Sequence, residues 1–227
     1  MAERTRLVIF DVDGTLVDSQ GDILGAMSHS FMAQNLPVPA RSDILGIVGL
    51  SLDVAMSRLV PEADAQGVAA LVQGYKDAYI ELRARTGAAQ SSPLYPGAME
   101  VLQELHSQPG LLLGLATGKS KRGLDKLVEA HDLERFFVTR QVADFHPSKP
   151  HPSMIYQAMG EAGTTPAETV MIGDTSFDMD MARAAGVGAL GVSWGYHPVA
   201  HLQAAHRILD DFVSLPDALA GMWERAS

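Results

Sequence analysis

Short apolar runs alternate along the chain with longer segments whose apolar positions recur at helical spacing. Most of the runs are continuous, as expected for strands covered on both faces of a sheet. The predicted strands are 7–10, 111–116, 136–138, 169–172, 189–193 and 207–209. Apolar helical faces lie between them, in 99–105, 124–128, 154–159 and 179–185. Strand and helix in alternation predict an α/β fold with a doubly wound parallel sheet, that is, a Rossmann-like core.

The alternation breaks once, after the first strand. The next convincing strand begins only at residue 111, and the interval before it is rich in helical pattern. A single crossover helix needs far fewer residues than this. The interval closes with the proline- and glycine-rich sequence SSPLYPG. We therefore predict a core domain formed by 1–19 and 92–227, with a small helical domain, 20–91, inserted after the first strand.

Composition and charge limit the class of protein. Of 227 residues, 47% are hydrophobic and 19% charged, which is typical of a globular chain with one core and a smaller insert. The formal net charge of −10 argues against a nucleic acid or a membrane surface as partner. The absence of cysteine excludes disulfides and thiolate metal sites. The first apolar run is too short for a signal peptide and no segment could span a bilayer, so we expect a cytoplasmic protein.

Polar residues follow four of the predicted strands where each strand ends. Asp11 and Asp13 follow the first strand in the sequence FDVDGTLVDS, and TGK follows the second. Lys149 comes after the third strand, in a proline-rich loop, and Asp174 and Asp178 come after the fourth. Open α/β sheets bind ligands at the carboxyl ends of their strands, so these side chains are expected to converge. Carboxylates with a lysine suit a hard cation such as Mg²⁺ and a phosphoryl group.

Four segments, DVDGTLVDS, LATGKS, SKPHP and GDTSFD, occur in this order, each at a predicted strand end. Each is a weak signal alone, but together they resemble the four signatures of the haloacid dehalogenase superfamily. The resemblance covers nearly the whole chain. The position of the insert is similar to that of the helical cap in the phosphoglycolate phosphatase-like branch. The resemblance implies a phosphoric monoester hydrolase that uses Mg²⁺ and acts on a small-molecule phosphate ester.

The resemblance also implies a role for each matching residue. Asp11 would be the nucleophile that forms an aspartyl-phosphate, and Asp13 the general acid and base. The carboxylates of Asp11 and Asp174 and the backbone carbonyl of Asp13 would bind the metal. Asp178 would orient a metal-bound water from the second shell.

Three further residues would hold the phosphate. Thr117 and the backbone of Gly118 would donate hydrogen bonds to it, and Lys149 would pair with both the nucleophile and the phosphoryl oxygens. Thr117 and Lys149 are therefore counted with the catalytic residues. Many relatives have asparagine where this chain has Gly118. A side-chain contact is absent here, so substrate preference transfers less well than the chemistry.

Ordinary structural roles are the alternatives for these residues. Asp11 and Asp13 could form a turn, Thr117 a helix cap, and Lys149 a solvated loop position. Asp174 and Asp178 could cap the helix that follows them, and for Asp178 this could be the whole role. The ordered set of four motifs favours the site over these alternatives.

Two other functions stay open besides the phosphatase. A sugar phosphomutase of the same fold is disfavoured by Thr15, because the mutases that resemble this family tend to lack that threonine. A catalytically silent binding module would be expected to lack at least one of the four principal site residues, and the chain has them all: Asp11, Asp13, Lys149 and Asp174. Within the resemblance, 2-phosphoglycolate is the leading substrate, and the pattern is silent on the oligomeric state.

Overall fold

The computed structural model describes residues 5–225, which form a parallel sheet of six strands with helices on both faces. The strands are Arg6–Phe10 (β1), Leu111–Thr117 (β2), Phe137–Val142 (β3), Thr169–Gly173 (β4), Gly188–Val192 (β5) and Arg207–Leu209 (β6). Their order is β3-β2-β1-β4-β5-β6 and all neighbours are parallel. The predicted α/β fold with a doubly wound sheet is confirmed. The termini of the predicted core, 1–4 and 226–227, lie outside the described residues.

The interval after β1 is helical, as predicted. Its helices are Gln20–Ala33 (α1), Arg41–Leu45 (α2), Leu52–Leu59 (α3), Ala65–Thr86 (α4) and Ala88–Ser91 (α5). These helices bury apolar residues of their own, separate from the two clusters that cover the sheet, including Ile23, Met27, Phe31, Met56 and Leu71. An apolar cluster within the insert is what a small separate domain requires. The division into a core and an inserted domain at residues 20 and 91 stays a prediction.

The remaining helices cover the sheet. They are Ala98–His106 (α6), Lys121–Ala130 (α7), Ser153–Ala162 (α8), Ser176–Ala185 (α9) and Leu215–Arg225 (α10). Val8 and Phe10 of β1 point into the apolar cluster formed with α6, α7 and α10, and Leu7 and Ile9 into the cluster formed with α8 and α9. Successive side chains of a strand face opposite sides. Burial on both sides therefore explains why the predicted strands are continuously apolar.

The third strand differs from its prediction. It spans Phe137–Val142, whereas the apolar run predicted 136–138. Its later half contains polar residues that are nevertheless buried, Thr139 and Gln141, and both bond to the Glu161 carboxylate of α8. A search for apolar runs misses a strand whose buried positions are satisfied by hydrogen bonds.

The strand order indicates where on the sheet a ligand would bind. β1 lies between β2 and β4, and the chain proceeds outward from it in both directions. Such a reversal of strand order opens a crevice beyond the carboxyl ends of the central strands. Within residues 5–225, no helix has both the length and the hydropathy required to cross a membrane.

Candidate active site

The carboxyl ends of β1, β2 and β4 bring the predicted site residues to one edge of the sheet. In the register of the sheet, Phe10 is paired with Leu115 on one side and Ile172 on the other. Asp11 is therefore level with the last residues of both neighbouring strands. Thr117 ends β2, and Asp174 directly follows β4.

Lys149 lies between two aspartates at this edge. Its Nζ is 2.7 Å from Oδ1 of Asp11 and 2.7 Å from Oδ1 of Asp178, and all three side chains are buried. Burial alone would lower the pKa of Lys149, but the two carboxylates raise it above its ordinary value. Burial raises the pKa of Asp11, and Lys149 opposes that shift. The predicted pairing of Lys149 with the nucleophile position is present, and the solvated-loop alternative does not describe a side chain that is fully buried.

Three carboxylates meet beside this lysine. Oxygen atoms of Asp11, Asp174 and Asp178 lie within 4.8 Å of one another, and all three residues are buried. Burial, followed by repulsion from Asp11 and Asp178, raises the pKa of Asp174. With all three ionised, one ammonium leaves two negative charges uncompensated. Oδ2 of Asp11 is buried and has no hydrogen-bond partner in residues 5–225. A buried carboxylate oxygen without a partner, in a cluster of net negative charge, suits a hard divalent cation, which prefers oxygen ligands.

Asp174 is held in place by two donors. The Thr15 hydroxyl donates to its Oδ1 at 2.9 Å, and the backbone N–H of Tyr196 donates to its Oδ2 at 2.8 Å. The carboxylate sits directly against the turn after β1. A Cβ atom at Gly14 would lie 2.2 Å from Oδ2 of Asp174, and the φ angle there is +83°. Both the backbone angle and the lack of space require glycine.

Asp178 has two roles at once. Its Oδ2 accepts hydrogen bonds from the backbone N–H and the hydroxyl of Thr175, which caps α9. Its Oδ1 accepts from Lys149 at 2.7 Å. Asp178 therefore does help to cap α9, and the same carboxylate also belongs to the charged cluster around Lys149. The proposed contact of Asp178 with a metal-bound water stays a prediction.

Asp13 stands apart from the three clustered carboxylates. Its Oδ1 is 2.8 Å from Nζ of Lys119 and also accepts a hydrogen bond from the Ser19 hydroxyl. The Tyr196 hydroxyl in turn receives the backbone N–H of Ser19 at 2.9 Å. The side chain of Asp13 is thus fixed by a cation and a hydroxyl. Its predicted contribution to the metal, through the backbone carbonyl, stays a prediction.

Thr117 and Gly118 lie at the end of β2, as predicted for the phosphate-binding positions. Thr117 is buried, and its Oγ1 accepts the backbone N–H of Lys119 at 3.2 Å. That bond leaves the hydroxyl hydrogen of Thr117 for another acceptor. The backbone of the insert passes directly over Gly118: a Cβ atom there would lie 2.5 Å from the carbonyl oxygen of Leu50 and 2.6 Å from that of Gly49. Glycine therefore permits the insert to approach the strand end closely.

The insert also contacts other loops at this edge of the sheet. The backbone N–H of Ser51 donates to the hydroxyl of Ser148, next to Lys149, at 2.9 Å. Nε2 of His197 donates to the carbonyl oxygen of Gly46 at 3.2 Å. Segment 46–51 therefore lies across the strand-end loops that carry the charged cluster.

Several residues that hold the predicted site residues were not themselves predicted as part of the site. They include Lys119 and Ser19, which hold Asp13, Tyr196, whose backbone holds Asp174, and Thr175, which donates to Asp178. The signal for Lys119 was present, because the residue lies within the second motif, LATGKS. The signal for Tyr196 was the end of β5, since that strand ends at the same edge of the sheet as β4.

The chain matches known proteins over nearly its full length. The family model described as "Haloacid dehalogenase-like hydrolase" matches residues 8–192. The probable phosphatase IndB of Dickeya dadantii is 35% identical, over 97% of this chain and 96% of the relative. A phosphoglycolate phosphatase of Agrobacterium fabrum is 32% identical, over 94% of this chain and 91% of the relative.

Solved structures agree with these relatives. The crystal structure of a predicted phosphoglycolate phosphatase from Haemophilus somnus superposes with a TM-score of 0.83 at 26% identity, over 96% of this chain and 99% of that one. The match of a family model to most of the chain, with relatives above 30% identity, establishes membership. The chain therefore belongs to the haloacid dehalogenase-like hydrolases and is a phosphoric monoester hydrolase similar to the phosphoglycolate phosphatases.

Proposed function

We propose that this phosphatase hydrolyses a small phosphorylated metabolite through an aspartyl-phosphate on Asp11, with Mg²⁺ as its cofactor and 2-phosphoglycolate as the leading substrate. The observation that carries the proposal is the buried cluster of Asp11, Asp174 and Asp178 around Lys149. The names of the relatives support the substrate, since several are phosphoglycolate phosphatases. Small phosphate esters are also the class that a site closed over by segment 46–51 would admit.

In the first step, a carboxylate oxygen of Asp11 attacks phosphorus, and the bond from phosphorus to the ester oxygen breaks. Asp13 gives its proton to the departing alkoxide. Lys149 and the hydroxyl of Thr117 orient the phosphoryl oxygens and balance their charge. In the second step, water attacks phosphorus, Asp13 accepts its proton, and the bond to Asp11 breaks. The carboxylate of Asp11 is then restored.

Mg²⁺ would be held by the carboxylates of Asp11 and Asp174 and the backbone carbonyl of Asp13, and Asp178 would orient a water bound to the metal. When bound, it would withdraw negative charge from the phosphoryl group and permit two anions to approach each other. Thr15 supports hydrolysis over mutase chemistry, because the mutases that resemble this family tend to lack that threonine; here its hydroxyl donates to Asp174. A silent binding module would be expected to lack at least one of the four principal site residues, whereas all four are present and Lys149 is paired with Asp11.

We further propose that 20–91 is a cap domain that excludes water from the first step and helps to choose the substrate. Two observations support a cap domain: the separate apolar cluster of the insert and the contacts of 46–51 with the strand-end loops. Such a lid would close over a small ester and exclude a folded macromolecule.

The test is a panel of phosphate monoesters, assayed with chelator-treated protein before and after Mg²⁺ is restored. We expect phosphoglycolate to be among the best substrates and activity to depend on Mg²⁺. Asp11→Asn should leave less than about one per cent of the activity, because it removes the nucleophile, and Asp125→Asn, at a partly exposed position in α7, should behave as the wild type. Unchanged activity after chelation would exclude the metal, and an active Asp11→Asn variant would exclude the covalent mechanism.

A further inference from the structure

Lys119 is a second buried cation at the site, and the chemistry proposed above does not use it. Its side chain is 9% exposed and lies between the core and the insert. Nζ is 2.8 Å from Oδ1 of Asp13 and 3.1 Å from the hydroxyl of Tyr79 in α4. Burial alone would lower the pKa of Lys119, but the charge of Asp13 raises it above its ordinary value. Paired with the Asp13 carboxylate and held by the Tyr79 hydroxyl, the ammonium is a fixed positive charge at the junction of the core and the insert.

One N–H donor of the Lys119 ammonium has no acceptor in the described part of the chain. An ammonium carries three N–H donors, and the described part of the chain supplies two acceptors, Asp13 and Tyr79. A buried charged donor without an acceptor is costly. A ligand that brings an acceptor to this point would satisfy it.

The charge of the neighbouring cation, Arg83, is balanced within the insert, although its Nε has no hydrogen-bond partner in residues 5–225. The guanidinium of Arg83 lies 4.9 Å from the ring centre of Tyr79, and Nζ of Lys119 lies 5.3 Å from the same centre. Nε of Arg83 is 3.5 Å from the carboxylate of Asp22, which balances its charge within the insert. Lys119 is instead turned toward the core, where the reaction takes place.

The position of Lys119 relative to Asp13 indicates which part of a substrate it would meet. Asp13 is proposed to give its proton to the ester oxygen, so the alcohol portion of the substrate lies beside its carboxyl group. Lys119 contacts that same carboxyl group from the side of the insert. A substituent on the carbon next to the ester oxygen would therefore approach the ammonium.

We propose that Lys119 binds an anionic group on the alcohol side of the ester, so that the enzyme selects phosphate esters with a carboxylate next to the ester oxygen. This inference rests on the proposed function and narrows its substrate class. The charge of the site supports it. Asp11, Asp13, Asp174 and Asp178 would repel a second anion of the substrate, and a fixed cation beside the alcohol portion offsets that repulsion.

The experiment compares pairs of esters that differ only at the carboxylate. Phosphoglycolate is paired with 2-hydroxyethyl phosphate, and 2-phosphoglycerate with glycerol 2-phosphate. In each pair, a carboxylate is replaced by a neutral hydroxymethyl group of similar size. The quantity measured is the ratio of kcat/KM for the acid to kcat/KM for the neutral ester, at saturating Mg²⁺ and constant ionic strength.

The variants are Lys119→Met, Lys119→Arg and, as a matched control, Lys121→Met. Lys121 is exposed, begins α7 and pairs with Asp125. We expect the wild type to prefer the acid in both pairs. Lys119→Met should reduce this ratio by about 10- to 100-fold, the effect of losing one charged hydrogen bond. Lys119→Arg should restore part of it, and Lys121→Met should leave it unchanged.

The ratio separates binding of the acid from general damage. If Lys119 only positioned Asp13, its loss would slow both members of a pair equally, the ratio would stay constant, and the inference would be overturned. A wild-type ratio near one would overturn it as well, even if Lys119→Met did not fold. If the enzyme hydrolysed only the neutral esters, this inference would be wrong, but the proposed phosphatase function would stand. No hydrolysis of any phosphate monoester with Mg²⁺ would defeat the proposed function itself.

Discussion

At the scale of single residues, the charged cluster around Lys149 is difficult to explain by stability. Taking one ammonium and several carboxylates out of water costs free energy that pairing only partly returns. Both partners of Lys149 are fully buried, and Oδ2 of Asp11 is left without a hydrogen bond in the described chain. Clusters of this kind are typical of active sites, where charge is arranged for a ligand and not for the folded state alone.

The proposed role of Asp13 as the general acid leads to a prediction about leaving groups. Asp13→Asn should slow hydrolysis of alkyl phosphates by about 10² to 10⁴, because no proton is supplied to the departing oxygen. Aryl phosphates with good leaving groups should be affected less. The measurement is the dependence of kcat/KM on the leaving-group pKa across a series of esters, which should be steeper for the variant than for the wild type.

Asp18→Asn is the matched control for that series. Asp18 lies in the same segment but contacts Gln20 and Tyr196, not Lys119. For Asp18→Asn, the dependence of kcat/KM on the leaving-group pKa should have the same slope as for the wild type. Equal losses for good and poor leaving groups in Asp13→Asn would show that Asp13 is not the acid.

At the scale of elements, the close approach of the insert to β2 depends on Gly118. Gly118→Asn would place a side chain against the carbonyl oxygens of Gly49 and Leu50. Overpacking of this kind costs about 1–3 kcal/mol, so we expect segment 46–51 to lift from the core and KM to rise. Hydrogen exchange checks this, since the amide of Ser51 now donates to Ser148 and should exchange faster in the variant.

Gly160→Asn serves as the control, because a Cβ at Gly160 in α8 meets nothing within 4 Å. It should leave both exchange in 46–51 and KM unchanged. If Gly118→Asn also left hydrogen exchange in 46–51 and KM unchanged, the packing of the insert on Gly118 would not matter for function.

A second element-level prediction concerns His197, which links the insert to the loop after β5. Burial lowers the pKa of His197 below its ordinary value of 6.5. As pH falls, the unfolded chain therefore takes up this proton before the folded chain does, and the stability that His197 contributes is full above pH 6.5 and declines below it. The difference in Tm between the wild type and His197→Gln should shrink between pH 8 and pH 5.

The exposed His29 provides a control for replacing a histidine by glutamine. At pH 8, His29→Gln should leave the Tm close to that of the wild type. A difference in Tm for His197→Gln that is constant with pH would mean that His197 is not held neutral by the fold.

At the scale of the whole molecule, the sheet and its helices could be predicted because burial on both faces leaves a continuous apolar signal in β1, β2, β4 and β5. The later half of β3 could not, because its buried Thr139 and Gln141 are satisfied by Glu161, a partner distant in sequence. The same reason applies to the site. Asp11 and Asp174 could be predicted from their motifs, whereas the pairing of Lys119, which lies in the second motif, with Asp13 appears only when the chain is folded.

The central claim for the molecule is that phosphate passes through Asp11 and is not transferred directly to water. The most direct measurement is the stereochemical course at phosphorus, using an ester made chiral there by sulfur and heavy oxygen isotopes. Each in-line displacement inverts the configuration, so two displacements restore it. The mechanism predicts net retention with the Mg²⁺-loaded protein. Net inversion would mean a single displacement by water and would contradict the assignment of Asp11 as the nucleophile.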